Sequence, residues 1–527
     1  MKSNFYITSP IYYVNDSPHI GHAYTSIACD CLARFNRLNS NEVFFLTGTD
    51  EHGQKVEKSA IAKGKSPQEF CDEVSQKFRN LSEILNLSND DFIRTTENRH
   101  KKTVEKFWNI LQKNGFIYKD VYEGWYALRD EAFYNADEIV DGKAPTGAEV
   151  SWHREESYFF RLSAFQDKLL ALYEAVPDFI RPISRHNEIV NFVKSGLKDL
   201  SISRTSFSWG IKVPDDEKHV IYVWLDALTN YLSALGFAQE NANYQKFWID
   251  GKNSPLHIVG KDIARFHAIY WPAFLMAGEI NVPYSVYAHG WWTNDGQKIS
   301  KSVGNVIDPL SEINWIKSLG CEDETAIDYF RYFLLREVAF GSDGDYSRNN
   351  LAIRINAELA NNIGNLAQRC LTMIYKNCQG KIPGKIPGTI PNEIKNLEIK
   401  NNDLISDDFI KNYFLAFDDL AFDKAIQAII DFANLVNKKF NDLAPWNLKK
   451  LGKINEMNDC LFETVQSLKI IAILLLPFIP VSGQKILDLL NITKDQANFS
   501  HLNEKLCEGH LINEPKAIFP RLEILKD

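Results

Sequence analysis

Cysteine is scarce and scattered in this sequence. The 527 residues include only eight cysteines, and no two of them form a Cys-x-x-Cys pair. A disulfide framework and a zinc knuckle both need closely spaced cysteines, so neither is expected. The thiols are therefore predicted to be reduced, which favours a cytoplasmic protein.

The sequence also lacks any long apolar run. Its most apolar stretch, residues 470–476, is followed by Pro477 and is far shorter than the ~20 residues that a membrane-spanning helix needs. The N-terminus has neither the apolar core of a secretory signal nor the Arg- and Ser-rich character of a transit peptide. We therefore predict a buried helix at residues 470–476 and no membrane partner.

Positive charge is not in excess. Lys and Arg number 59 against 68 Asp and Glu, which gives a formal net charge of −9. A protein that coats nucleic acid through a general basic field carries the opposite charge, so no DNA partner is expected and any RNA contact must be local. The hydrophobic fraction of 45% is ordinary for a globular protein, and the length predicts two to four domains.

The pattern of apolar residues changes along the chain. Short β-rich apolar runs alternate with longer helical patterns in residues 1–114 and again in residues 227–345, as in a Rossmann-type parallel sheet. Aromatic-rich strand patterns fill residues 115–226, and helical periodicity dominates residues 346–527. The predicted fold is α/β: a Rossmann-type parallel sheet is split by an inserted connective domain and followed by an α-helical domain.

Individual elements follow from the same patterns. Strands are predicted at residues 5–8, 43–47, 256–259 and 284–289. Helices are predicted at residues 263–276, 351–376, 407–441 and 461–475. One sheet is therefore expected to be assembled from two distant parts of the chain.

The first motif with candidate chemistry is the stretch 17–22, Ser-Pro-His-Ile-Gly-His. Ser17 suits the N-cap of a helix and Pro18 its first position, so His19 and His22 would share one face near the positive end of the helix dipole. Phosphate oxygens are stabilised there, and Gly21 would let a nucleotide lie against the backbone. Alone, the motif also fits an ordinary helix start with two surface histidines.

The second motif is the stretch 298–302, Lys-Ile-Ser-Lys-Ser, which follows a turn-forming Asn-Asp-Gly. Lys298 and Lys301 on a mobile loop can swing onto a triphosphate and stabilise the charge that builds as pyrophosphate leaves. Ser300 can add a hydroxyl donor. Alone, a short loop of Lys and Ser is more typical of solvated surface.

In this order, and on the two halves of a split α/β sheet, these motifs resemble those of class I aminoacyl-tRNA synthetases. The resemblance sharpens to the methionyl-tRNA synthetase family through residues 8–15, 47–53, 222–228 and 289–291. It implies an enzyme that activates L-methionine with ATP to methionyl-adenylate and pyrophosphate, and then transfers methionine to the 3′ end of tRNA(Met). ATP is expected to arrive with Mg²⁺ as a substrate.

The resemblance also implies site residues. Asp50 would bind the substrate ammonium, which is the cationic partner that a buried carboxylate needs. Aromatic walls suit a thioether, and the Tyr231 hydroxyl can donate to its sulfur. The residues placed around methionine are Ile11, Tyr13, Asp50, Trp224, Ala227, Tyr231 and His289. Those placed around ATP are His19, Gly21, His22, Gly260, Asp262, Lys298, Ser300 and Lys301, and of these His19, His22, Lys298 and Lys301 would be catalytic.

Two further parts of the chain resemble the family. Gly260 and Asp262, with His267 after them, are similar to a wall of the ATP site, although Gly-Lys-Asp is also an ordinary turn. The helical domain would bind the anticodon through Asn365, Arg369 and Trp446. Unstacked anticodon bases are held by aromatic stacking and by hydrogen bonds to their edges. Without the resemblance, Trp446 would be assigned to packing.

One departure from the family is informative. Many relatives carry a four-cysteine zinc knuckle in the inserted domain, but residues 115–226 contain no cysteine. A Cys₄ site is impossible there, and the segment resembles the zinc-free branch of the family, so no protein-bound zinc is expected. The chain ends soon after the helical domain, without the C-terminal dimerisation module of some relatives, and a monomer is expected.

Three alternatives compete with this interpretation. The first is a class I synthetase for another amino acid, most plausibly cysteine, and the missing zinc-thiolate ligands speak against cysteine. A simple nucleotidyltransferase with the His-x-Gly-His motif would leave the helical third without a purpose. An RNA-binding scaffold with a decayed catalytic half would need damaged motifs, and His19, Asp50 and Lys301 are intact. Amino-acid-dependent exchange of pyrophosphate into ATP separates all three from a methionine enzyme.

Overall fold

The structure is a computed structural model that describes residues 3–14, 17–127, 129, 132–134, 136–239, 241–294, 297–298, 305–384 and 408–523. The chain forms two compact units, which are described one at a time. The first comprises Met1–Pro18, Glu42–Glu83 and Leu87–His289, and the second comprises His19–Asn41, Ile84–Asn86 and Gly290–Asp527. The four-domain division at residues 1–114, 115–226, 227–345 and 346–527 remains a prediction.

The strands and helices are numbered along the chain. The strands are β1 (Asn4–Tyr13), β2 (Glu42–Asp50), β3 (Asp91–Arg94), β4 (Ile117–Ala127), β5 (Ala132–Tyr134), β6 (Ser151–Phe160), β7 (Ile180–Arg181), β8 (Leu200–Ser201), β9 (Ser203–Arg204), β10 (Lys212–Val213), β11 (Asp216–Ile221), β12 (Leu256–Gly260), β13 (Ser285–His289), β14 (Trp292–Asn294), β15 (Gln297–Lys298) and β16 (Gly344–Tyr346). The helices are α1 (Ile20–Leu38), α2 (Gln54–Ala62), α3 (Pro67–Ile84), α4 (Asn98–Lys113), α5 (Gln166–Ala175), α6 (Ile183–Lys194), α7 (Val223–Leu228), α8 (Asn230–Ser233), α9 (Trp271–Ala277), α10 (Pro309–Ser318), α11 (Asp323–Arg336), α12 (Arg348–Arg354), α13 (Asn365–Asn377), α14 (Asp408–Asp418), α15 (Phe422–Leu443), α16 (Pro445–Lys450), α17 (Ile454–Leu475) and α18 (Pro480–Leu489). Wider π-type turns cover Tyr244–Ile249, Phe266–Tyr270 and Ile355–Gly364.

A six-stranded parallel sheet organises the first unit. Its strand order is β3-β2-β1-β12-β13-β7, so the four strands predicted from the sequence are confirmed as β1, β2, β12 and β13. Seven of the ten residues of β1 are buried, including six in a row, as expected for a strand that is covered on both faces. The order reverses between β1 and β12, which are adjacent in the sheet but far apart in the sequence.

Two smaller antiparallel sheets also lie in the first unit. Their orders are β5-β4-β6-β8 and β10-β11-β9, and all of these strands fall within the segment predicted as an insertion. One strand of that segment, β7, pairs in parallel with β13 and forms an edge of the large sheet.

The helix predicted over residues 263–276 is confirmed as a continuous helical stretch that contains one wider turn. The structure has a π-type turn at Phe266–Tyr270 before α9 begins at Trp271. Pro272 is the reason, because it has no N–H for the Ala268 carbonyl four residues earlier. That carbonyl instead accepts a hydrogen bond of 2.7 Å from the Tyr173 hydroxyl.

The second unit is mainly helical, as predicted. The residues of α17 from Leu468 to Leu475 are buried, which confirms the predicted buried helix. The helix predicted over residues 407–441 is instead two helices, α14 and α15, because Leu420 takes a left-handed conformation with φ of 57°. In the part of the chain that the structure describes, no helix is long and apolar enough to cross a membrane.

A buried ion pair joins α1 to the rest of the second unit. Arg331 of α11 is fully buried and donates to Asp30 Oδ2 at 2.7 Å. The same guanidinium donates to the carbonyl oxygens of Leu85, at 3.0 Å, and Phe478, at 2.9 Å. Arg34 also donates to Asp30, at 2.7 Å. Each charge therefore keeps its hydrogen bonds after leaving water.

Replacement of Arg331 by Met should lower the free energy of unfolding by about 3–5 kcal/mol, because the Asp30 carboxylate would stay buried without its main cationic partner. Chemical denaturation of the full chain measures the change. The matched control is Lys65→Met, which breaks the exposed ion pair with Glu73 and should cost less than about 1 kcal/mol. Equal effects of the two substitutions would contradict the importance given to the buried pair.

Candidate functional site

Four predicted site residues lie at the carboxyl ends of parallel strands in the first unit. Tyr13 at the end of β1 is the register partner of Asp50 at the end of β2. Gly260 at the end of β12 is the register partner of His289 at the end of β13. Because the strand order reverses between β1 and β12, this edge of the sheet is where an α/β fold binds its ligand.

The backbone that carries Asp50 is held by the residue after it. The buried carboxylate of Glu51 accepts hydrogen bonds from the Thr49 hydroxyl at 2.7 Å and the Thr96 hydroxyl at 2.6 Å. It also accepts two bonds from the Arg94 guanidinium, at 2.7 and 3.0 Å. The Glu51 carbonyl oxygen accepts from the Trp209 indole at 2.6 Å. Sequence reasoning gave Glu51 no role, because nothing in the sequence indicates that these donors converge.

A second buried carboxylate, Asp226 of α7, lies between two histidines. His52 Nδ1 is 2.7 Å from its Oδ2, and His100 Nε2 is 2.7 Å from its Oδ1. Burial opposes ionisation of Asp226, but His52 and His100 outweigh this effect and lower its pKa to about 2. The carboxyl group is therefore an ionised acceptor at neutral pH, and both histidines donate to it.

The predicted aromatic walls are also in place. Trp224 of α7 stacks on Phe266 with a ring separation of 3.6 Å, and Ala227 follows it on the same short helix. Tyr231 of α8 is buried and packs over His257 of β12, with 4.2 Å between the ring centres. Ile11 on β1 is half-buried and packs against the core of the first unit.

The hydrogen bonds of Tyr231 involve a second buried side chain, His267. Its hydroxyl lies 2.7 Å from His267 Nε2, and His267 Nδ1 lies 3.0 Å from the Ile263 carbonyl oxygen. Burial lowers the pKa of His267 to about 4, so the ring is neutral and its single proton is on Nδ1, facing the carbonyl. The Tyr231 hydroxyl must therefore donate to Nε2. Donation of this hydrogen to the methionine sulfur, which remains a prediction, would require the bond to His267 to break.

Gly260 leaves space for the side chain of Asp262. A Cβ atom at this position would lie 2.6 Å from Oδ1 of Asp262 and 4.0 Å from Cε1 of His289. The glycine thus makes room for the Asp262 carboxylate to fold back over the end of β12. The predicted contacts of Gly260 and Asp262 with ATP remain predictions.

In the second unit, the helix start is capped differently from the prediction. Helix α1 begins at Ile20 and His19 is its N-cap, so the assignment of Ser17 to the N-cap and Pro18 to the first position is wrong. The physical reason is that the histidines cap the helix themselves. His19 Nδ1 accepts from the Gly21 amide, and His22 Nδ1 accepts from the His19 amide, both at 3.1 Å.

This capping sets the tautomer of both histidines. A backbone amide only donates, so Nδ1 of each neutral ring is an acceptor and the proton is on Nε2. Burial and the neighbouring His19 hold the pKa of His22 well below its ordinary value, which keeps His22 neutral. A Cβ at Gly21 would lie 3.0 Å from His19 Cε1, so the glycine makes room for that ring. Two Nε2–H donors at a helix N-terminus suit an anion such as phosphate.

The lysine and serine motif can be located only in part. Lys298 is the last residue of β15, and its backbone pairs with that of Thr293 on β14. The side chain of Lys298, together with Ser300 and Lys301, lies outside what the structure describes. The roles predicted for these three residues therefore remain predictions.

Two of the three predicted anticodon residues are in contact. The Arg369 guanidinium of α13 lies 4.7 Å from the centre of the Trp446 ring and donates to Asn441 Oδ1 at 2.8 Å. Trp446 follows Pro445 at the first position of α16, and Ala444 before it has a φ of 46°. Asn365 is exposed at the start of α13, one turn before Arg369. Sequence reasoning missed Asn441, which no local pattern distinguishes from other surface amides.

Within the described ranges, no three or more His, Cys, Asp or Glu side chains are grouped so that they could hold a metal ion. The expected absence of bound zinc remains a prediction, which metal analysis must decide.

Comparison with known proteins is consistent with this geometry. Residues 5–151 and 145–371 match the family described as tRNA synthetases class I (M). The methionine–tRNA ligase of Rickettsia conorii is 55% identical over 526 residues, which cover 99% of this chain and 100% of that protein. The corresponding ligase of Rhizobium meliloti is 48% identical over 98% of both chains.

A solved structure gives the same result. The methionyl-tRNA synthetase of Mycobacterium tuberculosis in complex with methionyl-adenylate superposes with a TM-score of 0.92 and 43% identity, covering 99% of this chain and 100% of that one. The fold class and family predicted from the sequence are thereby confirmed. This chain belongs to the methionine–tRNA ligase family of class I tRNA synthetases.

Proposed function

We propose that the chain activates L-methionine with ATP to methionyl-adenylate and pyrophosphate, and then transfers methionine to the 3′ end of tRNA(Met). The observation that carries the proposal is the convergence of Tyr13, Asp50, Gly260 and His289 at the carboxyl ends of β1, β2, β12 and β13. A relative that is 43% identical was solved with methionyl-adenylate, the intermediate of this reaction.

The direct test is exchange of labelled pyrophosphate into ATP, with each standard amino acid in turn and without tRNA. Methionine alone should support exchange. Exchange with cysteine in place of methionine would refute the proposed substrate, and no exchange with any amino acid would refute the proposed enzyme.

Methionine recognition is assigned to the first unit. Asp50 binds the substrate ammonium. The hydrogen bonds that Glu51 accepts keep the neighbouring Asp50 backbone in place before the substrate arrives. The thioether lies against the aromatic surfaces of Trp224 and Tyr231, where a polarizable sulfur is stabilised. Ile11, Tyr13, Ala227 and His289 complete the proposed pocket.

The phosphate chemistry is assigned to the two signature motifs. An oxygen of the methionine carboxylate attacks the α-phosphorus of ATP in line, and the bond from that phosphorus to the pyrophosphate oxygen breaks as the new bond forms. His19 and His22 donate from Nε2 to phosphate oxygens, while Lys298 and Lys301 stabilise the departing pyrophosphate. Ser300 adds a hydroxyl donor. Mg²⁺ enters with ATP and neutralises phosphate charge, and no protein nucleophile is required.

Assembly and location are part of the same proposal. The chain is proposed to act as a cytoplasmic monomer without bound zinc, with tRNA(Met), methionine and ATP as its partners. Sedimentation equilibrium at micromolar concentration measures the oligomeric state, and a stable dimer would contradict it.

His19→Asn separates capping from phosphate binding. Asparagine is a good N-cap, so α1 should keep its start and the thermal unfolding midpoint should stay near the wild-type value. The asparagine side chain has no donor at the position of Nε2 and cannot bond to the phosphate there, so the rate of adenylate formation should fall about 10²-fold. Single-turnover kinetics measure the rate. An unchanged rate at unchanged stability would limit His19 to capping.

Lys301→Ala should also slow adenylate formation by about 10²-fold or more, because one charge that stabilises the departing pyrophosphate is lost. Methionine binding without ATP should change little, as measured by calorimetry. Lys65→Ala, which removes an exposed lysine that is outside both motifs in the sequence, is the control for loss of positive charge. A wild-type rate for Lys301→Ala would remove this residue from the mechanism.

Exhaustive chelation of zinc should leave activity intact once Mg²⁺ is restored. The reason is the absence of cysteine from residues 115–226. Metal analysis and pyrophosphate exchange before and after chelation make the test. Stoichiometric zinc that is lost together with activity would contradict the zinc-free assignment.

Trp446→Ala should reduce aminoacylation of tRNA while leaving methionine-dependent pyrophosphate exchange nearly intact. Loss of a stacking surface costs about 1–3 kcal/mol, or about 5- to 150-fold in charging efficiency. Trp315→Ala is the matched control, because Trp315 is also half-buried under an arginine, Arg348, at 5.1 Å. It should not separate the two activities. Equal loss of both activities in Trp446→Ala would make Trp446 a packing residue.

A further inference from the structure

We propose that Asp226 is a positioning residue for methionine recognition, because its hydrogen bonds to His52 and His100 tie together the segments that carry Asp50, Trp224 and Tyr231. The inference rests on the proposed function and deepens it. Asp226, His52 and His100 are the residues it adds to the site.

The network consists of three hydrogen bonds between buried side chains. Asp226 accepts from His52 Nδ1 and from His100 Nε2, each at 2.7 Å. His100 Nδ1 is 3.0 Å from Ser233 Oγ. All four side chains are almost completely shielded from solvent, and Asp226 has no exposed surface. A substrate therefore does not touch this network, which acts only through the segments that it joins.

Those segments carry four of the predicted methionine-binding residues. His52 follows Asp50 by two residues, on the loop after β2. Asp226 lies on α7 between Trp224 and Ala227. Ser233 follows Tyr231 by two residues on α8. The network therefore sets the ammonium-binding loop and the thioether-binding helices at a fixed separation.

The physical chemistry favours a rigid connection. An ionised carboxylate that is fully buried is strongly penalised unless both oxygens have donors, so the arrangement with both histidines in place is preferred over any displaced one. The charge of Asp226 therefore fixes both the loop that follows Asp50 and the helices that carry Trp224 and Tyr231. A displacement of about 1 Å between groups that hold a substrate can reduce activity by about 10²-fold.

A pair of substitutions at His52 tests the connection. In His52→Asn the amide nitrogen takes the position of Nδ1 and can still donate to Asp226, whereas His52→Leu has a similar size and no donor. The full chain is assayed by pyrophosphate exchange for the KM of methionine and the KM of ATP, and by calorimetry for methionine binding without ATP. Wild-type exchange with methionine is measured first, and its absence would refute the proposed function itself.

His52→Leu should raise the methionine KM and Kd by about 10- to 100-fold and leave the ATP KM within about twofold. His52→Asn should keep all three constants within about threefold of wild type. If the Leu variant does not fold, the same comparison with His100→Leu and His100→Gln decides, because the Gln amide nitrogen replaces Nε2. A wild-type methionine KM in the folded Leu variant, or an equal rise in both KM values, would overturn the proposal while the proposed function stands.

Discussion

Burying a carboxylate beside a binding pocket costs free energy unless every oxygen has a donor, and the first unit meets this constraint at two positions. Glu51 is surrounded by hydroxyl and guanidinium donors, and Asp226 lies between two histidines. Asp50 precedes Glu51 in the chain, and His52, which donates to Asp226, follows two residues after Asp50. Under the proposal, these bonds hold the loop after β2 in place, so that binding energy is not spent on ordering it.

In the second unit, neutral histidine rings accept hydrogen bonds from backbone amides at the start of α1. The first amides of a helix need acceptors, and at α1 the two histidine Nδ1 atoms supply them. The same bonds leave the proton of each neutral ring on Nε2. One pair of side chains thus caps the helix, and its binding of phosphate is part of the proposed function. The ion pair of Arg331 with Asp30 fixes the same helix from its middle.

Much of this arrangement could be predicted because it is local. Strand periodicity located β1, β2, β12 and β13, and the two motifs in their order along the chain carried the resemblance to the family. The sequence could not show that Thr96, Arg94 and Trp209 converge on Glu51, because these contacts depend on the tertiary fold. The cap at His19 was mispredicted because Ser17 and Pro18 are individually better suited to that position than a histidine. The Tyr231 hydrogen bond depends on the His267 tautomer, which only the surrounding contacts determine.

The most direct test of the account is a crystal structure of the chain with a non-hydrolysable methionyl-adenylate analogue. The account predicts that the ammonium group lies within hydrogen-bond distance of Asp50 and that the thioether lies against Trp224 and Tyr231. It also predicts that the adenosine lies at the carboxyl ends of β1 and β12, with the Tyr231 hydroxyl still bonded to His267. An analogue bound elsewhere, or an ammonium group away from Asp50, would contradict the account.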